Sequence, residues 1–353
     1  MTAATVYRVS TLDYASFVRL SWQAAADYWR RFHVDYRAEY HFPADFARDV
    51  LQHCRIRWME IFLVFLLALC WTLLRAKLTS TLFLPIFRRL SVPSEHIGKI
   101  PETAWKLAYY SCTFAWSVYL LLLSGRYPTF WDPLSIWDDW HYGMSVPLDI
   151  SLTYLVHGSF YLHSVYATCF MDMWRKDSIL LILHHILTMA LIGFSYGTRH
   201  YLEGAMVLLL HDVTDVELEF TKLNHYLKLR LGRRYPLNEL LSNLGFVSFA
   251  FSWFLFRLYW FPLKVLYVAL YGSVNLAPPD IPFIPVFALL LFILLIMNIF
   301  WFHYIVILLY KVATGQASDL EDTREYSDTE STPTKKGEAD SAPNNHLLPK
   351  KRD

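Results

Sequence analysis

The amino-acid sequence predicts an all-α polytopic membrane protein of about seven transmembrane helices, and three observations carry that prediction. More than half of its 353 residues are hydrophobic, 55%, and 17% are aromatic. Only 18% are charged, where a soluble domain carries about 25%. Segments at 58–74, 103–123, 147–171, 178–196, 202–222, 241–262 and 281–310 each approach the ~20 mostly apolar residues that a helix needs to cross a bilayer.

Residues 1–57 are polar and aromatic, with no apolar core ahead of a small-residue cleavage site, so the 58–74 segment is expected to act as its own anchor. The loops then orient the bundle. Arg75, Lys77, Arg88, Arg89 and Lys99 follow the first span, Arg175 and Lys176 follow the third, and KLRLGRR at 228–234 follows the fifth. The alternate connectors are acidic or nearly neutral: 125–146 holds Asp132, Asp138 and Asp139 with Arg126, and 263–280 holds Lys264 and Asp280. By the positive-inside rule the basic connectors face the cytosol, the N-terminus lies on the lumenal or exoplasmic side, and the C-terminus is cytosolic. Residues 312–353 are poor in apolar side chains and read as a disordered tail. Ser318 and Ser327 in that tail precede acidic residues, a kinase-like context, and the chain ends KKRD, a di-lysine pattern of endoplasmic reticulum retrieval. Cys54, Cys70, Cys112 and Cys169 show no C-x-x-C spacing and read as free thiols. Net charge is close to zero and gives no case for a nucleic-acid partner.

Two adjacent spans hold most of the buried polar chemistry. The fourth supplies His184, His185 and Thr188; the fifth supplies His211, Asp212, Asp215, Glu219 and Lys222. At a 1.5 Å rise, His184 lies about 12 Å in from Lys176 and Asp212 about 15 Å in from Lys222, so the two sets meet at similar depth. Ionisable groups at such depth are costly and mark function. Asp212, Asp215, Glu219 and Lys222 share one stripe, Glu217 points away, and His185 is rotated by about 100° from His184. Histidine beside a buried carboxylate is the general-base arrangement, with Asp212 expected to partner His184 and with Asp215 and His185 expected to position the attacking group or a second proton relay, the roles within each pair being interchangeable. No G-x-S-x-G or reactive-cysteine context competes, so acyl transfer through His as base or nucleophile is the leading chemistry. Metal ligation by two His and two Asp is the rival, disfavoured by the lack of H-x-x-H-H boxes. His157 and His163 read as packing histidines, and Arg257 as a snorkelling cation or the partner of a carboxylate.

The stretch LHHILTMALIGFSY, with EGAMVLLLHDVTDVELEFTKLNHY after it, residues 183–226, resembles the Lag1 motif of the ceramide synthases within the TRAM-Lag1-CLN8 (TLC) domain superfamily. The motif's paired histidines fall on His184 and His185, its Ser-Tyr on Ser195 and Tyr196, its aspartates on Asp212 and Asp215, and its lysine on Lys222. MDMWRKDS, FRLYWFPLKVLY and PPDIPF resemble the vertebrate branch that prefers stearoyl-CoA. Residues 75–102 are too short for the homeobox-like insert of other vertebrate paralogues, which removes a DNA-binding reading.

The resemblance implies a TLC-type helical bundle over 103–311 enclosing an intramembrane cavity. It implies N-acylation of sphinganine or sphingosine by a fatty acyl-CoA in the endoplasmic reticulum, without a cofactor or metal, by a protein that associates with other ceramide synthases. It places catalysis on His184, His185, Asp212 and Asp215. Substrate contacts fall on Thr188, Tyr196, His211 and Lys222, with Arg175 and Lys176 on the CoA phosphates. Acyl-chain selection falls in the last lumenal loop, 263–280. A non-enzymatic TLC relative that senses or translocates lipid, and a metal-dependent lipid hydroxylase, are the competing readings.

Overall fold

The computed structural model describes residues 13–31, 43–141, 143–277 and 283–314. The tail from 315 onward, with Ser318, Ser327 and KKRD, and residues 278–282 of the PPDIPF segment lie outside the described residues.

The described chain is helical apart from one small hairpin. Two N-terminal helices, α1 (Tyr14–Arg31) and α2 (Ala44–His53), precede seven long ones. These are α3 (Trp58–Arg89), α4 (Ile100–Val118, wound on through Leu123), α5 (Leu148–Phe170), α6 (Ser178–Gly197), α7 (Tyr201–Leu227), α8 (Pro236–Asn275) and α9 (Ile284–Ala313). Each long helix covers one of the seven apolar segments of the sequence. By length and composition α3, α6, α8 and α9 are apolar enough to cross a membrane. The other three are more polar, and bury Glu102, His157 and Asp212 among others.

Helix α7 is the central element, packed against α4 on one side and α8 on the other; α3 lies on α5, α5 on α6, and α9 on α6. The outer surface is apolar, with Phe62, Phe65, Leu69 and Leu73 of α3 and Ile296 and Ile299 of α9 exposed, as lipid contact requires.

Two helices run further than the hydropathy pattern indicates. Helix α3 continues past residue 74 to Arg89 through a wider-wound turn at Thr79–Phe83. Helix α8 continues through Pro262 to Asn275, so residues 263–275, expected as a loop, are helical and largely buried. Proline lacks an amide hydrogen and clashes with the carbonyl of the preceding turn. Here the backbone is wound in i→i+5 turns over Trp253–Trp260, Pro262–Leu266 and Val268–Gly272, which accommodates it. Lys264 misled the hydropathy reading in the same place. Its ammonium donates to the Phe130 carbonyl at 2.6 Å and sits 4.4 Å from the Phe130 ring centre, so its charge is satisfied inside the protein.

One end of the bundle is closed by a buried ionic collar. Arg75 of α3 pairs with Asp172, Lys106 of α4 bridges Glu102 (2.6 Å) and Asp172 (3.3 Å), and Arg175 reaches Glu102 at 3.3 Å. Asp172 lies beyond the end of α5. Burial works against its charge, but Lys106 and Arg75 outweigh that and hold its carboxyl well below the usual carboxylate range. At this basic end the hairpin Leu229–Arg230/Arg233–Arg234 turns through Leu231 and Gly232, both with positive φ, and the Leu231 amide donates to the Leu90 carbonyl after α3. All four cysteines are free.

Candidate active site

Helix α6 enters from the basic end. It begins where the Arg175 amide donates to the Ser178 hydroxyl (2.7 Å), and it carries His184 six residues in, about 9 Å along the axis. Helix α7 returns from the opposite end and brings His211 to the same level. Helix α9 runs alongside with Phe287, Leu291, Leu294 and Trp301. Between these three helices and Tyr161 of α5 lies a narrow cavity of about 20 Å³, room for about one water molecule as the helices are packed here. Its wall is apolar except for Tyr161, His184, Thr188, Ser195 and His211. It extends from His184 and Leu294 to Ser195, Gly204 and Phe287, about 16 Å along α6. The far end is pinned by Tyr154, whose hydroxyl bonds Ser195 Oγ (2.9 Å) and donates to the Tyr201 carbonyl (2.9 Å).

Two histidines line this cavity, and their hydrogen bonds separate their roles. His211 is committed at both nitrogens: Nδ1 donates to the Val207 carbonyl (2.8 Å), and Nε2 accepts from the Asn298 amide (3.1 Å). That fixes a neutral ring. His184 has a buried Nδ1 with no hydrogen-bond partner among the described residues, and its ring meets the edge of Trp301 at 5.2 Å. Thr188 donates to the His184 carbonyl (2.8 Å) rather than to the ring. His185 does not line the cavity but packs at 5.8 Å against Tyr161, which does, and its Nδ1 is likewise buried without a hydrogen-bond partner among the described residues. The paired histidines therefore serve different surroundings, as the rotation between adjacent helical positions requires.

The aspartates depart from the expected pairing. Asp212 does not bond His184. It is fully buried against α5, with Oδ2 3.1 Å from His157 Nε2. His157 Nδ1 lies 2.8 Å from the Thr153 carbonyl, which only accepts, so Nδ1 must carry the hydrogen. His163, by contrast, is the packing histidine the sequence suggests, with Nδ1 2.8 Å from the Thr72 hydroxyl. Thr153, His157 and Tyr161 recur every four residues on α5, and that stripe is the signal that would have drawn His157 into the site.

Asp215 goes to a third partner. Arg257, from the i→i+5 segment of α8, bonds Asp215 Oδ1 (2.5 Å), the Thr214 hydroxyl (2.6 Å) and the His211 carbonyl (3.0 Å), and lies 4.0 Å over the Trp253 ring. Arg257 is thus the partner of a carboxylate. Among the described residues no three His, Cys, Asp or Glu side chains converge as a metal ligand set.

The remaining expected contacts divide as follows. Glu219 and Lys222 form an i, i+3 pair at 3.6 Å near the basic end. Glu217 accepts hydroxyls from Ser248 (3.0 Å) and Ser252 (3.1 Å) of α8, which accounts for a carboxylate the sequence left unexplained. Arg175 is held by Glu102 in the collar, and Lys176 follows it at the same end. Tyr196 turns away from the His184 cavity and donates to Glu60 Oε1 (2.8 Å) at the start of α3. Its neighbour Ser195 is the motif residue that faces the cavity.

A double-mutant cycle checks the observed pairing. His157→Gln and Asp212→Asn are expected to couple by about 0.5–3 kcal/mol in thermal stability, whereas His184→Gln and Asp212→Asn add to within about 0.5 kcal/mol. Equal coupling in both cycles would contradict the geometry.

Comparison with known proteins agrees with this architecture. The TLC domain (TRAM, LAG1, CLN8) matches residues 99–307. Ceramide synthase 1 of Homo sapiens is 47% identical over 305 residues, covering 86% of this chain and 87% of the human protein. Ceramide synthase 1 of Mus musculus is 46% identical over 301 residues, 85% of each chain. Ceramide synthase LOH1 of Arabidopsis thaliana is 32% identical over 249 residues, 67% of this chain and 75% of the plant protein. With a TLC match over more than half its length and such identity across nearly the whole of its vertebrate relatives, the chain belongs to the TLC-domain family and, within it, to the ceramide synthases of the ceramide synthase 1 type.

Proposed function

We propose that the chain transfers a fatty acyl group from acyl-CoA to the amine of a sphingoid base, with stearoyl-CoA as the preferred donor and His184 as the group at the reacting atoms. The observation that carries this reading is a narrow apolar slot ending at an imidazole whose Nδ1 has no hydrogen-bond partner among the described residues. Leu191, Ile192, Leu291 and Leu294 give the cavity an apolar wall that would flank an acyl chain once the helices part to admit it, and the thioester would then lie at His184. The amine nitrogen attacks the thioester carbonyl, the C–S bond breaks, and CoA leaves as the thiol. The proton lost by the amine reaches the leaving sulfur through His184. A nucleophilic route passes the acyl group through the His184 ring instead. The two routes part on one observable: labelled acyl-CoA without sphingoid base leaves hydroxylamine-sensitive label on the chain only in the second.

His157–Asp212 and Arg257–Asp215 tie the adjoining stretch of α7 to α5 and α8, and His185 packs behind Tyr161. We assign these groups to positioning and electrostatics, with His184 alone lining the slot without a committed Nδ1. The same reading puts the protein in the endoplasmic reticulum membrane, with the basic end and C-terminus toward the cytosol and the N-terminus lumenal. Arg75, Lys106 and Arg175 at the collar, and Arg230, Arg233 and Arg234 at the hairpin, support that orientation and the approach of polyanionic CoA from that side.

The test is mass spectrometry of the lipids formed by the purified protein from sphinganine and an equimolar mixture of acyl-CoAs. Dihydroceramide enriched in the stearoyl species is expected. No amide product would overturn the activity, and an even distribution would overturn the chain preference alone.

A further inference from the structure

Helix α9 carries a fully buried asparagine, Asn298, at the level of the slot histidines. Leu291, Leu294, Asn298 and Trp301 recur at three or four residues along one buried stripe of that helix. Leu291 and Leu294 line the slot and Trp301 meets the His184 ring, so Asn298 stands between the slot wall and the contact to His184. Its backbone is held there from α8, where Trp253 Nε1 donates to the Asn298 carbonyl (3.1 Å).

The orientation of the Asn298 amide follows from His211. His211 Nδ1 lies 2.8 Å from the Val207 carbonyl, which only accepts, so Nδ1 carries the hydrogen and Nε2 of the neutral ring is an acceptor. The Asn298 atom facing Nε2 at 3.1 Å is therefore the donor Nδ2. That leaves Oδ1 as the free end of the amide, buried and without a hydrogen-bond donor among the described residues. Turning the amide over would set two acceptors against each other at His211. A buried carbonyl oxygen without a donor is costly, and it calls for a partner from outside the chain.

The chemistry of that partner follows from the acyl transfer proposed above, on which this inference rests. The attacking amine gives up one proton toward His184 and keeps one N–H in the amide product. An acceptor for the retained N–H aims the nitrogen lone pair at the thioester carbon. An amide oxygen suits that task, because it accepts the hydrogen bond without the negative charge that would favour the ammonium form, which has no lone pair to attack with. We propose that Asn298 is a substrate-binding residue for the acyl acceptor. Its Oδ1 accepts the N–H of the sphingoid amine while its Nδ2 holds His211, once α9 parts from α6 to admit the substrate.

The experiment follows thermal unfolding of the full chain in detergent with sphinganine, with stearoyl-CoA, or with N,N,N-trimethylsphinganine, which keeps the hydroxyls and the chain but has no N–H. On the wild type, sphinganine is expected to raise the midpoint with half-saturation at about tenfold lower concentration than the trimethyl base, the effect of one hydrogen bond. That comparison needs no variant to fold. Asn298→Leu, close in volume, should need about tenfold more sphinganine, lose the distinction between the two bases and keep its response to stearoyl-CoA. Asn298→Asp retains the oxygen and should respond to sphinganine as the wild type does. In initial rates, Asn298→Leu should raise KM for sphinganine about tenfold and leave KM for stearoyl-CoA unchanged. Equal half-saturation by the two bases on the wild type, an undiminished sphinganine response in Asn298→Leu, or an Asn298→Asp variant as impaired as Asn298→Leu would overturn the role of Asn298. The acyl-transfer reading fails separately, on a wild-type chain that forms no amide.

Discussion

His184→Ala is expected to lower ceramide formation by about 10²- to 10⁴-fold, the range over which positioned acid–base groups contribute to catalysis. The chain should stay folded, because His184 Nδ1 makes no hydrogen bond that the fold depends on and the ring is only half-buried, edge-on to Trp301. His185→Ala separates the two members of the pair. Its ring packs against Tyr161, a wall residue of the slot, without lining the slot itself, so it is expected to cost less activity than His184→Ala. The readout is the initial rate of amide formation from sphinganine and stearoyl-CoA at matched amounts of folded protein. A His184→Ala enzyme of normal rate, or a larger loss from His185→Ala, would move the reacting centre away from His184.

Asp215→Ala is expected to destabilise the protein by about 3–5 kcal/mol, the cost of stranding one member of a buried ion pair. Arg257 is 3% exposed, and without Asp215 it keeps its bonds to Thr214 and to the His211 carbonyl but loses its counter-charge. Removing both charges, Asp215→Leu with Arg257→Met, should recover much of that loss, since an apolar pair of similar size often replaces a buried ionic one at little cost. Thermal unfolding of the single and double variants measures the effect. A wild-type midpoint for Asp215→Ala, or a double variant below the single, would contradict the pairing. Ceramide formation by the folded double variant then tells a positioning role from one on the reacting atoms. Recovery of activity along with stability is expected for the first.

The long helices were legible because each is written as a mostly apolar run, cleanest in α3, α6, α8 and α9, and hydropathy does not depend on what a helix packs against. The polar residues of the site were legible for the converse reason: His184, His185, Asp212 and Asp215 are costly in lipid and stand out. Their partners were not. Helical spacing gives the side of a helix on which Asp212 lies but not which neighbour occupies that side, and the neighbour is α5 with His157 rather than α6 with His184. Asp215 likewise found Arg257, from a segment whose i→i+5 winding no hydropathy window reveals. Residues 263–275 read as a loop because Pro262 and Lys264 break the apolar pattern. The backbone absorbs the proline and Phe130 absorbs the lysine. Tyr196 shows the limit of motif adjacency: one residue from Ser195, it faces a second cavity beside Glu60 instead of the slot.

The slot between α6, α7 and α9 as the seat of the acyl chain is tested most directly by photo-crosslinking with a stearoyl-CoA analogue carrying a diazirine midway along its chain, followed by peptide mapping. Adducts on Leu191, Ile192, Leu291 and Leu294, suppressed by excess stearoyl-CoA, are the expected result. Adducts confined to the lipid-facing residues of α3, such as Phe62 and Leu69, with none in the slot, would contradict it.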